Sequence, residues 1–181
     1  VLASRGFASG GEYGFEYHQS SDFLPSTPGV TAGAPGGFFN PAAWSAASGE
    51  FAYWRDDRFG REDKFDTWGF SFASPLGFAM EKRVFGSGPD RQTLKTYQLG
   101  LSGGDRRFHM GAAWRWHKGD ARALGADEGL VVGGLYRPFR HLSVGASGFF
   151  AHDERATESI VDVGVRPLGT PLLTLFGDYA V

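Results

Sequence analysis

His152-Asp153-Glu154 puts an imidazole beside two carboxylates, the side chains of a metal or acid–base cluster. Neighbouring residues at a strand end point in different directions and do not converge, so a solvated loop is the expected reading. Asp56, Asp57, Glu62 and Asp63 bring several carboxylates into one short stretch, which suits a hard cation such as Ca²⁺. No EF-hand spacing is present, and an ordinary charged external loop is the expected reading. No metal, cofactor or catalytic residue is assigned. The chain has no Gly-x-Ser-x-Gly elbow, no P-loop and no His-Glu-x-x-His, and Gly103-Gly104-Asp105 reads as a turn rather than a phosphate cradle.

A different constellation comes from alternation. His109, Arg115 and His117 share one face of a run whose other face carries Phe108, Met110, Ala112, Trp114 and Trp116. Two readings stand. The polar face contacts a substrate or a plug, or it pairs with acids of neighbouring strands such as Glu81, Glu158, Asp162 or Asp178. A dry interior would require such pairing. Trp54, Trp68, Phe70, Phe72, Trp114, Trp116 and Tyr179 are expected to face lipid or form interface girdles rather than stack on a ligand.

The elements that must carry these residues are strands. The chain of 181 residues holds 28 Gly, 17 Phe, 5 Trp and 6 Tyr, a balance that disfavours helices and suits pleated surfaces. Lys and Arg number 18 against 20 Asp and Glu, so no basic field for nucleic acid exists. Cys is absent, which removes disulfides and thiolate metal sites. No run of eighteen apolar residues could form a spanning helix. Val1-Leu2-Ala3-Ser4-Arg5 lacks the features of a signal peptide, implying that a leader was removed or that none was used.

Residues 1–47 are rich in Gly, Ser, Ala and Pro and read as an irregular N-terminal segment. Tyr13, Phe15 and Tyr17 alternate within it, and Asn40 is placed to cap a short helix with Pro41 at its first position. Residues 48–181 follow a period of two, with about nine strands expected near 48–55, 66–73, 76–85, 92–103, 107–117, 128–137, 141–151, 157–166 and 172–181. Several have the length a tilted strand needs to cross a bilayer. Long and short connections mostly alternate, as in outer-membrane barrels with short periplasmic turns. The expected fold is an all-β antiparallel transmembrane barrel of meander topology. Nine passes cannot close by pairing outward and return strands, so the barrel is expected to be incomplete in this chain.

Phe38-Phe39-Asn40-Pro41-Ala42-Ala43-Trp44 resembles the Asn-Pro-Ala signature of FadL-type outer-membrane barrels, a family that includes long-chain fatty acid transporters and PorV-like barrels of secretion systems. The resemblance implies that this segment folds into the lumen as a plug, with Asn40, Pro41 and Ala42 as the gate element. Phe23 to Val30, Tyr136-Arg137-Pro138-Phe139 and Val165-Arg166-Pro167-Leu168-Gly169 resemble the barrel region preceding some bacterial SppA-type signal peptide peptidases. Ala43-Trp44 stands where Gly-Leu is common, the family barrels have more strands, and no peptidase domain lies in these residues. The implied function is passage or capture of hydrophobic compounds in the bacterial outer membrane, with lipid as the surroundings. A structural barrel that anchors a periplasmic partner or secretion machinery is the alternative. A soluble lipocalin-like binder is the third reading, and it requires the Trp114 and Trp116 face to point inward.

Overall fold

A computed structural model of the chain describes residue 17 and residues 21–47, 49–56, 66–86, 88–152, 157–170 and 172–181. Nine strands form one antiparallel sheet in sequence order: β1 (Glu50–Asp56), β2 (Thr67–Ala73), β3 (Leu76–Phe85), β4 (Gln92–Gly104), β5 (Phe108–Gly119), β6 (Gly129–Phe139), β7 (Leu142–Ala151), β8 (Thr157–Val165) and β9 (Leu175–Ala180). Each strand pairs with its sequence neighbour, and β1 and β9 are not paired with each other, so the sheet is open. The fold is therefore an all-β antiparallel meander. No helix among the described residues is long and apolar enough to cross a membrane.

Local chemistry sets the strand ends. Asp105 accepts the backbone N–H of Arg107 at 2.7 Å and of Phe108 at 2.9 Å, which closes the turn between β4 and β5. Those two donors also hold the exposed Asp105 carboxyl below its ordinary range. Pro138 cannot donate to a ladder, and the β6–β7 register shifts between Tyr136 and Phe139 to accommodate it. The connections Ser74–Pro75, Asp105–Arg107 and Arg140–His141 are tight, whereas Gly86–Arg91 and Asp120–Glu128 at the other end are longer. The last connection departs from the expected pattern. β9 begins at Leu175 rather than near 172, and residues 172–174 lie outside the ladder.

The N-terminal segment packs against one face of this sheet. Its described residues include 3-10 turns at Ser21–Phe23 and Gly36–Phe38 and a short helix, α1 (Ala42–Ala46). Pro41 takes the cap position, and Asn40 Oδ1 accepts the Ala42 N–H at 3.1 Å. Trp44, Phe38, Phe39 and Tyr17 form one buried cluster with Ala73, Ala79, Ala113 and Ile160, with Trp54 and Ala180 packed against it.

That cluster reports the curvature of the sheet. Trp54 of β1 stacks on Phe23 at 4.0 Å, Phe23 lies 5.9 Å from Phe39, and Phe39 lies 5.1 Å from Tyr17. The Tyr17 hydroxyl then donates to Asp178 of β9. In a flat sheet eight spacings of about 4.8 Å would hold β1 and β9 about 38 Å apart, whereas this ring path covers about 15 Å. The meander therefore curls around the N-terminal segment.

Candidate functional site

The covered face carries the buried polar side chains of the sheet beside apolar ones such as Leu94, Val131, Leu135 and Phe149, whereas the exposed face is largely apolar. Along β8, Glu158, Ile160, Asp162 and Gly164 are buried, while Val161, Val163 and Val165 are exposed. Along β5, His109, Ala113, Arg115 and His117 are buried, while Phe108, Met110, Ala112 and Trp114 are exposed. Gln98 is 0% exposed, and Arg115 and Asp162 are each 2% exposed, against 59% for Met110 and 70% for Tyr179.

The buried polar groups serve the backbone of the N-terminal segment. A segment with little regular structure satisfies only some of its own N–H and C=O groups, and burying the rest unpaired is costly. Side chains of the sheet supply the partners. Glu50 accepts the Ala34 N–H at 3.2 Å, Glu158 accepts that of Tyr17 at 3.1 Å, and Asp162 accepts that of Gly29 at 2.9 Å. Gln98 donates to the Gly37 carbonyl at 3.1 Å, and Arg115 donates to the Phe38 carbonyl at 2.8 Å. Arg137 and Ser143 both donate to the Gly29 carbonyl, at 3.0 and 2.5 Å. The Arg115 guanidinium also lies 5.3 Å from the Phe38 ring and 5.4 Å from the Phe149 ring, within cation–π range. Among the described residues no fully buried side-chain nitrogen or oxygen lacks a partner.

Glycines make room for the segment. A Cβ at Gly77 would fall on the Trp44 ring, one at Gly111 on the Pro41 backbone, and one at Gly133 on Asn40. Asn40, Pro41 and Ala42 are all buried, and Asn40 donates to the carbonyls of Gly134 at 3.0 Å and Ala146 at 3.3 Å. The Asn-Pro-Ala stretch is thus pinned to β6 and β7.

The residues singled out by alternation fall on two faces. Glu81, His109, Arg115, His117 and Asp162 are buried on the covered face, and Asp178, opposite Asp162 in the register, is exposed. His109 meets Ser45 at 3.0 Å rather than an acid, and Asp162 is held by Thr27 and Gly29 rather than by the histidines. His117 meets Thr96 at 3.0 Å and the Asp127 carbonyl at 3.1 Å, and Glu81 pairs with Arg83 at 2.8 Å. For His109 and Asp162, groups of the N-terminal segment stand where a partner across strands is expected. Trp68, Phe70, Phe72, Trp114, Trp116 and Tyr179 project from the opposite face.

Trp54 departs from its expected place. It shares a face with Glu50 and Ala52, stacks on Phe23 and donates to Glu81 at 3.2 Å. The alternation of exposed Phe51 and Tyr53 against Ala52 carries that signal. The roles of Glu50, Gln98, Arg137 and Ser143 were not anticipated. Their partners are backbone atoms far away in sequence, which no motif announces. Tyr13 and Phe15, and the candidate ligands Asp57, Glu62, Asp63, Asp153 and Glu154, lie outside the described residues.

On the exposed face the register aligns apolar residues into unbroken rows. One row follows successive partners Phe51, Phe72, Phe78, Leu99, Trp114, Leu130 and Phe150 across seven strands. Another follows Tyr53, Phe70, Met80, Tyr97 and Trp116, with Met80 buried beneath its neighbours and Tyr97 and Trp116 stacked at 5.6 Å. Comparison with known proteins returned no matching family model, no matching curated protein and no matching solved structure.

Proposed function

We propose that this chain is part of a bacterial outer-membrane β-barrel whose N-terminal segment is a fixed lumenal plug, and that the barrel anchors or scaffolds a partner. The observation that carries the reading is the inverted sheet, with buried Gln98, Arg115 and Asp162 on one face and rows of exposed aromatics on the other. Water is a poor solvent for that outer surface, which far exceeds the scattered apolar groups of ordinary monomers. Hydrocarbon is a good one. The outward residues of β5 from Phe108 to Trp116 cover about 27 Å of strand, or roughly 20 Å along the normal at a barrel tilt of ~40°. That is close to the ~25 Å apolar band of such barrels.

Short connections on the Ser74–Pro75 side orient that end to the periplasm. Among the described residues β1 and β9 each pair on one side only, and their outer edges are where further strands, from the same polypeptide or a partner, complete the wall. The plug is fixed because withdrawing it strands many inner-face donors and acceptors at once, each costing about 1–3 kcal/mol. Hydrogen–deuterium exchange on the full-length gene product in micelles tests this. Amides of residues 29–44 should be protected as strongly as those of β5 and β6, and rapid exchange there would instead indicate a movable plug.

Passage or capture of a hydrophobic compound is the second reading. The aromatic cluster of Phe23, Phe39 and Trp54 favours it, because it lies beside the unpaired β1 edge where an apolar molecule could enter from lipid. A mobile plug together with apolar-probe uptake that depends on residues 1–47 would select it.

A further inference from the structure

Beyond the plug contacts, three connections converge at the short-turn end of the sheet. Arg106 and Arg107 come from the β4–β5 turn, Arg140 from the β6–β7 turn, Arg137 from the end of β6, and Arg166 from just past β8. All five line one cavity of about 320 Å³, and no carboxylate lines it. Arg137 and Arg166 both approach the Val30 carbonyl, at 3.4 and 3.5 Å, which holds two guanidiniums side by side. Arg140 Nε lies 3.3 Å from His141 Nε2, and His141 Nδ1 lies 3.0 Å from the Arg166 carbonyl. The nearby acids are already engaged: Asp105 by backbone N–H groups of its own turn, and Asp162 by Thr27 and Gly29. Among the described residues, none of the five arginines lies within ion-pair distance of a carboxylate. Like charges gathered around a cavity repel unless an anion neutralises them.

We propose that this cavity binds a phosphate-class anion, and specifically the headgroup of an anionic phospholipid. Guanidinium forks match phosphate oxygens two at a time, and basic pockets at membrane surfaces select anionic headgroups. Phe139, 56% exposed, and Leu142 border the same cavity beside the outer apolar face. An amphiphile can therefore place its phosphate among the arginines and its chains along those residues. The choice of a lipid source rests on the membrane reading, whereas anion binding itself does not.

The test titrates the full-length gene product in neutral micelles by calorimetry with three probes: pyrophosphate, dihexanoyl phosphatidylglycerol and dihexanoyl phosphatidylcholine. The variant replaces three exposed turn arginines, Arg106→Gln, Arg107→Gln and Arg140→Gln, and leaves the plug-binding Arg137 intact. The expected result is saturable binding of phosphatidylglycerol but not phosphatidylcholine, weakened roughly tenfold for each arginine that contacts the phosphate. Unchanged heat-modifiable gel mobility shows that the variant is folded, and Arg→Lys at the same positions should retain part of the affinity. Binding of pyrophosphate alone, lost in the variant, supports the anion site and moves its source to a soluble phosphate. Two results overturn the proposal: no saturable binding of either anion, or equal binding by the variant. An acidic peptide that binds where both phosphate probes fail overturns it in favour of a protein partner. If the protein proves folded in plain buffer, the membrane reading fails while the pyrophosphate titration still decides the anion site.

Discussion

Arg115 shows how a charge can be buried beneath a sheet when packed backbone supplies its partners. Its guanidinium joins Gln98 Oε1, at 3.1 Å, to the Phe38 carbonyl, at 2.8 Å, and so ties β4 and β5 to the N-terminal segment. Arg115→Met keeps most of the volume and removes these donors. The expected loss is about 2–4 kcal/mol, since a buried carbonyl is left unpaired and charged-group hydrogen bonds disappear. Urea unfolding in micelles measures it, and protease should release the N-terminal segment earlier than in the parent. Tyr17 gives a pH signature. Burial first, and the adjacent Asp178 carboxylate second, push its phenol well above the ordinary value. A raised value in the folded state means the folded protein keeps a proton that the unfolded chain releases above about pH 10, so stability falls as pH rises through that range. Tyr17→Phe should cost about 1 kcal/mol at neutral pH by removing the bond to Asp178. Its disadvantage should shrink above about pH 10, because Phe has no proton to keep. Unfolding of both proteins between neutral and alkaline pH checks this.

At the scale of elements, each strand separates the two faces one residue at a time. Ala112 sits midway along β5, outward, paired with Leu101 and Val132. Ala112→Arg should cost about 2–4 kcal/mol if that face lies in hydrocarbon, and under about 0.5 kcal/mol if it lies in water. Unfolding of the variant in vesicles gives the value. The strands were the most legible part of the chain, because runs such as Phe108, Met110, Trp114 and Trp116 against His109, Arg115 and His117 repeat with a period of two, which has one structural meaning. The start of β9 was not, since Leu172 and Leu173 are apolar and only the ladder shows that they lie outside it. Of the site, the covered positions of His109, Arg115 and Asp162 followed from parity. Their partners did not. Whether Asp162 meets a histidine or the Gly29 N–H depends on where an irregular segment runs, and Gly-Pro-rich sequence carries no periodic signal of its path. The arginine cavity was also hidden, because Arg106, Arg140 and Arg166 belong to three separate connections that meet only when the meander curls.

For the whole molecule, the deciding property is which solvent the outer face meets. A curled nine-stranded sheet has its polar side chains spent on the N-terminal segment and its large apolar side chains left outside. Every other assignment depends on this: the plug, the completion of the barrel at the β1 and β9 edges, and the lipid source of the anion. The most direct measurement refolds the urea-denatured full-length gene product by dilution into plain buffer, into neutral micelles and into lipid vesicles, following heat-modifiable gel mobility and tryptophan fluorescence. The account predicts a compact, heat-modifiable form in micelles and vesicles and aggregation in buffer. A monodisperse, cooperatively unfolding protein in plain buffer, with Trp114 and Trp116 exposed to aqueous quencher, would contradict it.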